Sequence, residues 1–503
     1  MKRSLQITTG LLCVSLIMLI TLTGCGNQSQ TETPTASTKK DYDIFIYNSD
    51  TDIGTAFRTM CDEYTSRTGI IIRTVTPTEE DNTVDNLAGY INGEKPPDIF
   101  TVSNISELKK WKSNSNIWDF SNATEDTFKN VVNNIPEGLR LSSNTTDSFG
   151  LPYTVEAFGF LVDPKMIASL FGGDKYRAVL NDLQECSYED FAAMVEALRA
   201  YISSGSVYEF SLNNNKYSFV TTKGDLSKNL NGVFSFAAGN TQNSGTYLMN
   251  VALASLFKSP AAANIADDSS IQNLENPLIK FAQALDLITL NVSGSSGALG
   301  RGLALVSSTQ NSANQAIKNF VNGKSLFLLA STTDYNGLLT YNSLVTKRCV
   351  FMPIKIPFAA ADVKSSDAIA KNIQKSIAVY VPKYFCINAK SSDLEKKKAQ
   401  DFLTWFKTSD LAQKYVIPEF GFTPYDIKES SVIDNPLARS MVEYISQERY
   451  LPGVFQGTPD SWSDTIGKYL IEQFFTKASW TYDDYQKIAN YGVKEWKSLK
   501  SSG

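Results

Sequence analysis

Two hydrophobic rhythms alternate along the chain. Residues 42–47 (YDIFIY) set aromatic and β-branched side chains in the two-residue period of a buried strand. Residues 54–68 then bring Phe57, Met60, Cys61 and Tyr64 onto one face at helical spacing. Residues 69–75 (GIIIRTV) predict a second strand, 84–92 a short helix and 97–102 a third strand. Strand, helix and strand in that order predict a right-handed crossover with parallel strands. Farther on, Ser187 predicts a helix start, because a hydroxyl cap is followed by an acid three residues later. Phe191, Met194, Val195, Leu198 and Tyr201 follow as that helix's apolar face. Residues 311–321 read as a helix that Gly323 and Lys324 turn into an apolar strand at 325–330, and 393–405 as another amphipathic helix. A Gly/Ser-rich run at 291–302 predicts a surface loop. Strands and helices alternating throughout argue for an α/β fold.

The N-terminus follows a different logic. Lys2 and Arg3 precede an apolar run at 11–22 (LLCVSLIMLITL), short for a membrane span of ~20 residues but right for a signal segment. The run ends in Leu22-Thr23-Gly24-Cys25, which resembles a bacterial lipobox. That resemblance implies cleavage after residue 24 and a diacylglycerol on Cys25, anchoring the protein to the cell membrane on its extracellular side or in the periplasm. Residues 25–40 are Ser, Thr, Gln and Pro with little to bury, the composition of a disordered tether. No later stretch is long and apolar enough to suggest a membrane span.

Composition then removes whole classes of chemistry. The chain has 503 residues and no His, which excludes Ser-His-Asp and Cys-His catalysis and His-ligated zinc. Its 47 basic and 52 acidic residues, without a basic cluster, make a poor nucleic-acid binder. Cys61, Cys186, Cys349 and Cys386 stand singly with no CxxC pair, and most are expected to be buried free thiols. No cofactor or metal is expected.

Several local patterns occur in order along residues 41–500: Gly93-Glu94-Lys95-Pro96-Pro97-Asp98-Ile99-Phe100, Leu151-Pro152-Tyr153-Thr154-Val155-Glu156-Ala157, and Val162-Asp163-Pro164-Lys165-Met166. Phe320-Val321-Asn322-Gly323-Lys324-Ser325, Lys398-Ala399-Gln400-Asp401-Phe402-Leu403 and Gly421-Phe422-Thr423-Pro424 complete the series. Together they resemble the extracellular solute-binding proteins of bacterial ABC importers, in the carbohydrate-binding branch that includes maltose-binding protein. The family's Trp-x-Glu-Leu after the first crossover is replaced by Cys186-Ser187-Tyr188-Glu189-Asp190-Phe191. The resemblance implies a two-lobed α/β fold of type II, each lobe a mixed sheet flanked by helices, with hinge strands between. Lobe 1 is expected to comprise 41–154 plus 349–426, and lobe 2 155–348 plus 427–503. It further implies a monomer that captures a carbohydrate between the lobes and delivers it to membrane permease subunits. A peptide or polyamine binder, a surface glycan sensor and, more remotely, a glycoside hydrolase are the alternatives.

A sugar offers apolar faces to aromatic rings and hydroxyls to carboxylates. Ligands of open α/β sheets gather beyond the carboxyl ends of strands. Ser103 and Asn104 follow the third strand, and Asn48 and Asp50 the first, so all four are candidates. The resemblance adds Glu156, in a Val-Glu-Ala where the family places a sugar-binding carboxylate, with Tyr153 beside it. It adds Trp462 as a stacking ring, at an expected exposed position between a Pro/Asp/Ser loop and a helix at 466–475. Asp334 and Tyr335, after the strand at 325–330, are a looser transfer. Asp98 is expected to brace the backbone, and Trp111, Trp118, Trp405, Trp480 and Trp496 to be structural.

Overall fold

The computed structural model describes residues 41–78 and 83–502. The signal segment, Cys25 and the tether therefore lie outside the described residues. Two sheets organise the body. In the smaller one the strands run in the order Ile72–Val75, Ile44–Tyr47, Ile99–Val102, Tyr384–Ile387 and Leu151–Pro152. The first three are parallel, with Ile44 opposite Ile72 and Ile46 opposite Ile99, as the crossover pattern predicts. Tyr384–Ile387 is antiparallel to both its neighbours. The helix Gly54–Thr68 connects the first two strands, buries Phe57, Met60, Cys61 and Tyr64, and ends at Gly69, whose φ of 74° lies in the left-handed region.

The larger sheet has eight strands centred on Glu156–Val162. One edge of that strand pairs antiparallel with Phe327–Ser331. The other is shared by two short strands, Val350–Met352 against its end and Ile377–Tyr380 against its start. Successive side chains of the central strand alternate between two cores. Phe160 and Val162 enter the core under the helices Tyr188–Ser204 and Glu275–Leu290. Ala157 and Leu161 enter the core that continues into the smaller sheet. Ser187 caps its helix by accepting from the Asp190 backbone N–H, as the sequence predicts.

Two connections carry the chain between sheets within three residues. Residues 153–155 lead from Leu151–Pro152 to Glu156–Val162, and 381–383 lead from Ile377–Tyr380 to Tyr384–Ile387. A longer passage follows Thr423 and ends in the helix Pro436–Ser446, which packs on Val350–Met352 through a bond from the Phe351 N–H to Ser440 Oγ at 3.0 Å. The first and last passages are stitched together. Val155 N–H donates to the Thr423 carbonyl at 2.8 Å, and Thr423 N–H donates to Thr154 Oγ1 at 3.1 Å.

Sheet pairing departs from the sequence reading in two places. Residues 350–352 and 377–380 lie in the larger sheet, and the chain rejoins the smaller sheet only at Tyr384. These strands are as apolar as those of the smaller sheet, so pattern alone does not say which they join. Within the expected loop at 291–302, Val292–Ser293 and Ala298–Leu299 form a short antiparallel edge to the larger sheet. Ser293 is buried there against Ser235, a pairing that Gly/Ser composition conceals.

Candidate functional site

Glu156 is the first residue of the central strand, at the point where the chain arrives from the smaller sheet. Its partner in register is Tyr380, the last residue before the return passage. The Tyr380 hydroxyl donates to the Glu156 carboxylate. Burial pushes the Glu156 carboxyl above its usual range; the Tyr380 bond and Lys383 pull it back, and Asp50 pushes it further up. Burial also raises Asp50, opposed by Lys383, whose ammonium stands 3.7 Å away and donates to the Ser49 carbonyl at 3.2 Å. Asp50, Glu156, Tyr380 and Lys383 thus form one polar cluster at the base of the cleft between the sheets.

Two cavities open on either side of this cluster. The first, about 760 Å³, is walled by Glu156, Tyr335, Asp52, Thr333, Lys414 and Phe422 among others. The second, about 690 Å³, is walled by Ser103, Asn104, Gln242, Tyr380, Phe455 and Asp460 among others. Both mix hydroxyls, amides and carboxylates with aromatic rings. Polar contacts beside the second cavity join the segment after the third strand of the smaller sheet to residues 456–460. Ser106 Oγ donates to Asp460 at 2.7 Å, and Gln456 Nε2 donates to the Val381 and Ser103 carbonyls at 2.7 and 3.4 Å.

The expected site residues are therefore divided. Glu156 and Tyr335 line the first cavity, while Ser103 and Asn104 line the second. Asn104 also caps the helix Ile105–Ser113, accepting from Glu107 N–H at 2.9 Å. Asp334 closes a capping box with Ser331, accepting its N–H at 2.8 Å, and burial raises its carboxyl. Asn48 is fully buried and accepts the Asp50 N–H at 3.0 Å, so it shapes the turn after the first strand. Tyr153 is 2 % exposed, its ring packed 4.6 Å from Phe385 and 5.2 Å from Phe422.

Trp462 departs furthest from expectation. It is the first residue of its helix, but Ser461 before it takes a left-handed φ of 64° and the indole lies inside the protein. The ring is 0 % exposed, meets Trp496 edge-on at 4.8 Å, and donates from Nε1 to the Gly492 carbonyl at 2.9 Å. A ring so enclosed has no face to offer a ligand. The aromatic surface at the second cavity comes instead from Tyr380 and Phe455, 5.4 Å apart and edge-to-face. Sequence reasoning missed both, although Tyr380 ends an apolar strand (IAVY), the position the strand-end rule singles out.

Asp98 braces backbone as expected, accepting from the Phe45 N–H at 2.9 Å and from Ser391 Oγ at 2.6 Å. Cys61, Cys186, Cys349 and Cys386 are buried free thiols. Among the described residues, no group of three or more Cys, Asp or Glu is placed to hold a metal ion. No helix of the described residues is long and apolar enough to cross a membrane.

Two sheets joined by paired passages, with a cleft where the chain crosses between them, define a two-lobed binding fold of type II. Residues 59–426 match the family of bacterial extracellular solute-binding proteins, and the chain belongs to that family. Solved structures of the same fold include the apo form of RafE from Streptococcus pneumoniae, with a TM-score of 0.59 and 14% identity over 91% of this chain and 97% of that one. A family 1 extracellular solute-binding protein from Bifidobacterium longum subsp. infantis has a TM-score of 0.58 and 15% identity over 91% and 99%. A cyclo/maltodextrin-binding protein complexed with maltotetraose has a TM-score of 0.53 and 12% identity over 91% and 98%. No curated protein matches the sequence.

Proposed function

We propose that this protein is the substrate-binding component of an ABC importer, capturing a sugar or oligosaccharide in the cleft and passing it, unaltered, to the permease. The observation that carries this reading is the cleft itself, where Glu156 at the crossing strand stands between cavities walled by hydroxyls, amides and aromatic rings. A carboxylate accepts from sugar hydroxyls, and aromatic rings cover sugar C–H faces. RafE in complex with raffinose and the maltodextrin-binding protein with maltotetraose have this fold and favour the same ligand class. The lipobox-like Cys25 and the Ser/Thr/Gln/Pro composition of 25–40 support a lipid anchor at the outer face of the membrane. We assign 41–152 and 384–423 to the first lobe and the sheet centred on Glu156–Val162 to the second.

Titration calorimetry and thermal shift against an oligosaccharide panel test the reading, with a reducing-sugar assay in parallel. A ligand that binds only the folded form at 100 times its Kd raises stability by about 2.7 kcal/mol. The expected result is saturable binding of at least one glycan with no sugar released. Binding of a polyamine or peptide in its place, or hydrolysis of a bound glycan, refutes it.

A further inference from the structure

The two cavities share no wall residue, yet a cross-strand pair joins their walls. Glu156 belongs to the wall of the first and Tyr380 to the wall of the second. Register holds the two residues directly opposite each other, and the hydroxyl-to-carboxylate bond joins them. The Tyr380 ring is also braced from behind. It lies edge-on to Phe455 at 5.4 Å and 5.9 Å from Phe158, which stacks on Tyr247 at 4.5 Å. Gly453 lets the chain pass beside it, since a Cβ there would stand 2.4 Å from the Tyr380 Cβ. A ring fixed on three sides is a partition rather than a mobile side chain.

We propose that Tyr380 is a specificity-determining residue that divides the cleft and sets how long a ligand it accepts. This rests on the carbohydrate reading above. Each cavity alone falls within the range of small-ligand sites, ~300–1,000 Å³. A short saccharide fits on one side, with its end against the tyrosine ring or against Glu156. A longer one that reaches from one cavity into the other along this strand pair meets the tyrosine, and entry there breaks a hydrogen bond to a buried carboxylate and displaces a packed ring. Tyr380 remains a donor throughout the neutral range, because burial and the Glu156 charge hold its hydroxyl well above the usual tyrosine value. The tyrosine's end of the bond is therefore not lost through small changes in acidity.

The test is calorimetry of a homologous oligosaccharide series, from monosaccharide upward, on wild type, Y380F and Y380A. Wild type is expected to show a length beyond which affinity falls. Y380F keeps the ring and is expected to keep that limit. Y380A is expected to move the limit outward, raising affinity for glycans beyond the wild-type cut-off by about tenfold or more. If Y380A fails to fold, Y380V, which suits the end of a strand and also lacks the ring, takes its place. An unchanged length profile in the ringless variant, with a cooperative melting curve, overturns the proposal while leaving the carbohydrate reading intact. A wild-type protein that binds no glycan in the series overturns both.

Discussion

At the scale of single residues, Glu156 and Trp462 exchange weight relative to what the sequence suggests. Glu156 touches a cavity, so Glu156→Gln is expected to weaken ligand binding by about 1.5–3 kcal/mol, the worth of a hydrogen bond to a charged group, while the melting curve changes little. Calorimetry with the identified ligand measures it. Trp462 is core, so Trp462→Ala is expected to cost about 3–5 kcal/mol of stability in chemical denaturation. Affinity of the protein that remains folded should be unaltered. Lys355 is a third case, invisible in the pattern. It is 2 % exposed, and its ammonium donates to the carbonyls of Gln184, Cys186 and Gln374 at 2.7–2.9 Å. It thus ties together the ends of the helices Tyr176–Glu185 and Asp367–Ile373. Lys355→Met leaves three buried carbonyls without a donor and is expected to destabilise by about 3 kcal/mol in urea unfolding.

Elements explain why some of this was legible and some was not. Strand–helix–strand succession and hydroxyl caps are local signals. The parallel strands of the smaller sheet, Ser187 and Asp98 were accordingly readable from a few adjacent residues. Sheet membership of Val350–Met352 and Ile377–Tyr380 depends on a partner almost 200 residues or more away, at Glu156–Val162. No local pattern encodes it. Trp462 misled for the same reason, because its partners Gly492 and Trp496 lie on the C-terminal helix. Close approach of elements is equally silent in the sequence. The π-helical turn Asn243–Leu248 lies against the helix Trp462–Gln473, and a Cβ on Gly245 would stand 2.0 Å from the Ser463 carbonyl. Gly245→Ala is expected to force the two apart at a cost of about 1–3 kcal/mol. Because Thr246 and Ser463 line the second cavity, ligand affinity should fall with stability, and thermal shift with and without ligand records both.

For the whole molecule the clearest electrostatic consequence is alkaline. Burial raises the thiols of Cys61, Cys349 and Cys386, and pushes Cys186 to about 11, from an ordinary value of 9.0. A group whose folded pKa lies above its unfolded one keeps the folded state richer in protons. Its stability contribution is complete below pH 9 and is lost as pH climbs through the folded value. Lys355, lowered from 10.5 to about 8, works the other way between those two values, as do Lys407 and Arg301, both also lowered by burial, but the four raised thiols are joined by part-buried tyrosines such as Tyr188 and Tyr247, raised to about 12. Denaturation midpoints are therefore expected to decline above pH 9, and replacing the four cysteines by alanine should flatten that decline.

Thr423 grips both Val155 and Thr154, so the outgoing and final strands of chain between the halves cannot slide past each other without losing two bonds. Bending both together keeps those bonds. With residues 381–383 as a further crossing, this pairing is expected to favour a swing of one half against the other over a slide. Spin-label distances measured between the halves are expected to collect in discrete populations, and a smooth continuum of distances would mean that each strand flexes on its own.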